Sequence, residues 1–587
     1  MADTATTDSV VPGSATPGAA ARFGQSPAMD AWLLHFMTEN NLEYLLNPLI
    51  NSSPEQLRFM CVLDEDEIFV PCSDELFAIL RRPALTRDLQ EMYNISWRVL
   101  IRLVRNHIHD PYTAKKIISF CRHRFQLARS SHILIPSRLM KRMGTIFLTQ
   151  SGLEDPYIER KKLFNQRADA FIRSPDLDDI VNTCPSPIQK CERLSTMRWE
   201  LDMLELKRLL ALSTWHGIWR SGDTLPGKGT LRNVLNRACS RFDDIAMVFG
   251  PGMEPKKILY IPNSSGGILF DLLIIRLLLR QGHQVILALK DSFFFQTPTI
   301  WDSERDPILG KALAGVQFID NPGISKNELI KALRLHRFVI ISDGTSERLN
   351  LYRTSVTFAR AWKECDVVIA KEDPNSRRLI KTRHQFTRDI LCFQRSLDGR
   401  FELHYKPKPS HVRKFTESDL VAMADAIIQS MREAKAQGNN CMFYSAVVGS
   451  IPGQTNTAIA ILDSFVEYLR SRLAGTFIIN PAEHFVPGMD GDDLMFMWER
   501  VQRSGLLDVW RFQTVADIEK AFELMGQTVP PAWAGKDSTF STGCTKEMKI
   551  ALETQHIHPE LQIIGPSPEK FFRRRDYGVG KYYDSGL

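Results

Sequence analysis

The spacing of apolar and polar positions changes character along the chain, and each change predicts a different set of elements. From Ala31 to about Leu212 apolar residues recur at helical spacing, as in residues 97–104 and 114–121. Pro136, Pro156, Pro185 and Pro187 punctuate this stretch. Between Leu225 and Gly252 the texture turns to glycine, proline and basic residues, which marks a boundary. Short apolar runs then alternate with helical patterns. Strands are expected at 257–261, 284–289, 315–319, 338–342 and 367–370, with helices at 268–280, 326–335 and through Phe358. Strands alternating with helices imply right-handed crossovers and a mainly parallel sheet.

After Lys406-Pro-Lys-Pro409 the alternation resumes. Thr416-Glu-Ser-Asp419 has the form of a capping box opening a helix over 418–434. Strands are expected at 441–448, 476–479, 507–512 and 561–564, and helices at 456–473 and 546–554. The fold class expected is therefore α/β: a mainly parallel three-layer sheet domain (245–410), a helical N-terminal region (29–225) and a C-terminal α/β extension (415–587). Residues 1–28, rich in Ala, Thr, Ser, Gly and Pro, read as a disordered tail without a signal peptide.

Composition narrows the function classes. A chain of 587 residues with 44% hydrophobic and 24% charged residues is that of a multi-domain globular protein. Its net charge of +6 is small, and its Lys and Arg are dispersed apart from Arg573-Arg574-Arg575, which argues against a nucleic-acid partner. The longest apolar stretch, 268–279, contains Asp271 and Arg276 and is too short to span a bilayer. Ten cysteines without a CxxC pair fit reduced thiols in a cytoplasmic protein and no structural zinc. His107, His109, His123 and His132 match no metal-ligand spacing.

Candidate chemistry gathers where strands end. The run 367–370 stops in a polar cluster of Lys371, Asp373, Asn375, Arg377 and Arg378. Ligands of open α/β sheets bind in the crevice beyond the strands' carboxyl ends. A lysine there offers a point charge, and arginines grip planar oxyanions in a fork. The cluster thus points to an anion, above all phosphate, with an ordinary charged loop as the bland alternative. The loop Asp343-Gly344-Thr345-Ser346 ends another strand and adds Gly344 and Thr345 as substrate contacts.

The loop 449–455 allows either an anion site or a tight βα turn; Gln454 stands where a P-loop needs lysine. The acids of 489–493 fit a solvated helix start better than a cation site. Cys544 near a helix start has no histidine base beside it in sequence, which gives a catalytic cysteine little weight.

The order of these motifs resembles the damage-control phosphatase family, metal-dependent hydrolases of phosphometabolites whose members include proteins also described as acidic-residue methyltransferases. The resemblance covers roughly residues 30 to 410, with its specific motifs between Ile258 and Arg395. The family's Asp-Asn-(small)-Gly segment and later helical Asp look like Pro262-Asn-Ser-Ser-Gly266 and Asp271, and its Lys-Gly-Asp-x-Asn segment looks like Lys371-Glu-Asp-Pro-Asn375. The resemblance implies Lys371 and Asp373 as catalytic groups. It implies Asn375 and Arg395 as substrate contacts, to which the polar cluster adds Arg378, and Asn263, Asp302 and Asp271 as ligands of manganese, cobalt, nickel or magnesium. Two departures matter. The family's first metal-binding Asp corresponds to Pro262, which cannot ligate through its side chain, and the third ligand has Asp302 as its best match with Asp291 behind it. Two functions therefore stay open: a metal-dependent phosphatase acting on a sugar phosphate or related metabolite, and a binding or regulatory protein that kept the pocket and lost the metal. Neither calls for a nucleic-acid or membrane partner, and both admit a homo-oligomer.

Overall fold

The computed structural model describes residues 20–43, 54–64, 66–220, 227–239, 245–324, 326–396, 398–451, 453–484, 486, 489 and 491–576. Most of the tail expected at 1–28, part of the boundary at 225–252 and the end of the chain after Asp576 lie outside the described residues. The chain divides into two compact units: Met1–Glu43 with Ile68–Lys408, and Tyr44–Glu67 with Pro409–Leu587.

The first unit is built on seven strands, β1 (Lys257–Ile261), β2 (Gln284–Leu289), β3 (Gln317–Ile319), β4 (Phe338–Ser342), β5 (Val367–Lys371), β6 (Asp389–Arg395) and β7 (Phe401–Lys406). Their order is β3-β4-β2-β1-β5-β6-β7, parallel throughout except for the antiparallel pair β6–β7. β1, β2 and β5 read as continuous apolar runs because both faces are covered. β7 escapes the sequence pattern for the opposite reason: only Phe401 is buried in this edge strand, so it has no apolar run. The chain leaves β1 toward β2 on one side and returns to β5 on the other, so the strand order reverses at β1.

Helix Gly267–Arg280 lies under the helices of the N-terminal region. Its residues Ile268, Ile274, Ile275 and Leu278 are fully buried in one apolar cluster that includes Leu206, Leu210 and the strands. Each such side chain contributes about 2 kcal/mol by leaving water. From Ala168 onward the helical region is thus part of the same hydrophobic core as the sheet.

The second unit has four parallel strands, β8 (Asn440–Ser445), β9 (Thr476–Ile479), β10 (Val509–Phe512) and β11 (Gln562–Ile564), in the order β9-β8-β10-β11. Helix Glu417–Ala436 opens with the expected capping box: Asp419 N–H donates to Thr416 Oγ1 at 3.2 Å, and Thr416 N–H donates to the Asp419 carboxylate at 2.9 Å. Helix Thr542–Ile557 starts earlier than expected because Ser541 caps it, accepting from the Cys544 N–H at 3.3 Å. Cys544 therefore sits in the first turn, buried, with its thiol donating to the Ala446 carbonyl at 3.3 Å. Among the described residues every cysteine is a free thiol, and no helix is long and apolar enough to cross a membrane.

Candidate functional site

A small cleft lies at the carboxyl ends of β1, β2, β4 and β5, lined by residues that follow each strand. β1 leads into Pro262 and Asn263, β2 into Lys290, β4 into Asp343, Arg348 and Leu349, and β5 into Asn375; Thr297 and Pro298 close it. This is where the strand order reverses, the place where two adjacent loops diverge and leave a crevice.

The polar groups of the cleft are tightly partnered. Asn263 Oδ1 accepts from the Arg348 guanidinium at 2.9 Å. Arg348 also lies over the Phe294 ring, 5.2 Å from its centroid. Burial, with the Arg378 guanidinium adding to it, lowers Arg348 to about 10, so it stays charged at neutral pH. Asp343 gives one carboxylate oxygen to Lys290 Nζ at 2.5 Å; the other accepts from the Thr345 N–H at 2.8 Å and its hydroxyl at 3.0 Å. Burial pushes the Asp343 carboxyl up, against the pull of Lys290. Lys290 Nζ also donates to Thr345 Oγ1 at 2.8 Å. Asn375 Nδ2 is anchored on the Lys371 carbonyl at 2.9 Å.

Of the residues expected from sequence, Asn263 and Asn375 are brought together in the cleft, and Thr345 supports it through Asp343 and Lys290. Gly344 takes φ 74, which places its backbone against Ser355; an added Cβ would lie 2.6 Å from the Ser355 Cβ.

The others lie elsewhere. Lys371 and Asp271 form a buried ion pair at 2.7 Å, 1% and 0% exposed at the side chain. The paired Asp271 oxygen also accepts from the Tyr260 hydroxyl at 2.9 Å, while its second oxygen has no hydrogen-bond partner among the described residues. Asp302 is also buried, bound to Lys161 at 3.1 Å and to the Thr299 hydroxyl at 2.6 Å. Asp291 accepts from Ser342 Oγ at 3.0 Å. Asp373 pairs with Arg377 at 2.6 Å and Lys381 at 3.1 Å. Arg378 donates to the Pro374 carbonyl and to Ser137 Oγ, and Arg395 to the carbonyls of Gly399 and Ala211. Sequence reasoning missed Lys290 and Arg348. Lys290 directly follows an apolar strand, the same signal that singled out Lys371. Arg348 stands beyond the loop 343–346 and carries no local signal.

A divalent cation requires several oxygen ligands, carboxylates among them. Among the described residues Asp343 is the only acid lining the cleft, and both its oxygens are taken; Asn263 Oδ1 is given to a guanidinium. Asp271 and Asp302 each hold an ammonium group, which would repel a dication. Among the described residues no group of three or more His, Cys, Asp or Glu is placed to hold a metal. The residues present therefore do not fit a divalent cation.

A crystal structure of a DUF89 family protein from Pyrococcus horikoshii is similar at 18% sequence identity, over 52% of this chain and 90% of that chain, with a TM-score of 0.35. No curated protein matches. The family model described as the damage-control phosphatase ARMT1-like domain matches residues 96–437, more than half of the chain and all of the sheet that carries the cleft. The chain belongs to the damage-control phosphatase ARMT1-like family.

Proposed function

We propose that this chain is a phosphatase-like protein that takes a small phosphorylated metabolite, a sugar phosphate or a related compound, into the cleft at the carboxyl edge of the first sheet. The observation that carries the reading is the convergence of Lys290, Arg348, Asn263 and Asn375 from four different strand ends on one crevice. A guanidinium can hold two phosphate oxygens in a fork, and a lysine adds a point charge that stabilises negative charge on a phosphoryl group. Family membership supports a metal-dependent phosphatase-like role in general, and with it hydrolysis of a phosphomonoester. The commitment of the cleft's acid and of Asp271 and Asp302 to ion pairs favours the second reading, a protein that binds a phosphometabolite without turning it over. A cytoplasmic location accompanies both.

The test is a screen of the purified full chain against sugar phosphates and nucleotides with manganese, cobalt, nickel or magnesium, and with chelator. Thermal shift is followed in parallel. Chelator-sensitive turnover establishes the hydrolase. A ligand-dependent rise in melting temperature without turnover establishes the binding protein. No turnover and no shift with any phosphorylated compound would sink the phosphometabolite reading.

A further inference from the structure

We infer that the cleft meets its anion with the Arg348 guanidinium in the position a divalent cation would need, so that ligand binding is independent of metal. This rests on the reading that the cleft takes a phosphorylated ligand, and adds which group supplies the positive charge. The first support is the donor set. Asn263 Oδ1, the cleft's uncharged side-chain oxygen beside β1, is bound by Arg348 at 2.9 Å, and its neighbour Pro262 has no side-chain ligand to offer. A cation binding Asn263 would have to displace a guanidinium that is itself charged.

The second is the state of Arg348. Among the described residues its guanidinium donates only to Asn263, and no carboxylate lies within ion-pair distance. Five N–H donors on a planar cation leave most of its donors for a ligand. The Phe294 face 5.2 Å away and the Asn263 bond hold the plane in place, so little side-chain entropy is left to lose on binding. The third is charge. Among the described residues Lys290 and Arg348 share the cleft lining with one acid, Asp343, so the lining is cationic before any metal is added. A dication would add like charge to a partly buried site, whereas a phosphate dianion relieves it.

The test is calorimetric titration of the full chain, stripped with EDTA, using inorganic phosphate as probe. It is repeated with manganese present, and manganese is also titrated alone. Phosphate affinity is expected to agree within about twofold with and without manganese, and manganese alone to give no saturable binding. Arg348→Gln is expected to weaken phosphate by about tenfold or more, the scale of a lost charge-assisted bidentate contact. Arg348→Lys, which keeps the charge but not the fork, should fall between. Melting curves of both variants establish that they are folded. Phosphate binding that appears only with manganese, or that survives Arg348→Gln at full strength, overturns this inference and leaves the phosphometabolite reading standing. Absence of binding by phosphate and by every sugar phosphate overturns both.

Discussion

Glu372 shows how a single residue can be strained and titratable at once. It has φ 71 and ψ 161, a conformation that is essentially glycine's. Such strain costs about 1–3 kcal/mol, and the extra freedom glycine has when unfolded costs about 0.5–1 kcal/mol. Glu372→Gly is therefore expected to stabilise the protein by about 1 kcal/mol, read from thermal or urea melting. Burial also pushes the Glu372 carboxyl up from 4.5 to about 7, against the pull of Lys371. Between those values the folded chain keeps a proton that the unfolded chain has released. Stability therefore falls as pH rises through that window, and stays lower above it. Urea melts across the same range should show wild type losing stability relative to Glu372→Gln; parallel curves would exclude the titration. The Asp271–Lys371 pair makes a further case. Asp271→Ala leaves a buried ammonium without its carboxylate and is expected to cost about 3–5 kcal/mol.

At the level of elements, caps and turns decide where helices begin and what the loops can reach. Gly266 opens the helix after β1 with φ 76, and an added Cβ would lie 2.7 Å from the Trp219 ring and 3.0 Å from the Phe164 Cβ. Its N–H donates to Asn165 Oδ1 at 2.6 Å, and Asn165 Nδ2 donates to Asp306 at 2.6 Å. A helical-region side chain thus ties down the turn that carries Asn263. Gly266→Ala combines a strained φ with a steric clash and is expected to cost about 2 kcal/mol or more, measured by melting. In the second unit, Thr416→Ala removes one half of a capping box and is expected to cost about 1 kcal/mol. That box was legible because both its bonds join residues three apart in sequence. The ties through Asn165 were not, since they span 101 and 141 positions.

Across the whole molecule, the second unit combines Pro409–Leu587 with a segment from the other end of the chain. Arg58, just past the short helix Pro54–Leu57, donates to Thr455 at the start of helix Thr455–Arg472, and Leu57 is 1% exposed. A fragment beginning at Pro409 lacks these contacts. It is expected to melt at a lower temperature than the same fragment co-expressed with residues 44–67, with circular dichroism as the readout. The sequence by itself determined the mainly parallel α/β class, most strand positions and the edge of the sheet where chemistry would gather. Those follow from local periodicity and from strand ends, which are properties of neighbouring residues. Only the tertiary structure decided which polar residues meet. It placed Asn263 and Asn375 in the cleft beside Lys290 and Arg348, and it paired Lys371 with Asp271 and Lys161 with Asp302. Those pairings join positions a hundred or more residues apart. Which acid neutralises which base is set by low-dielectric burial once the chain has folded, and no spacing along the sequence encodes it.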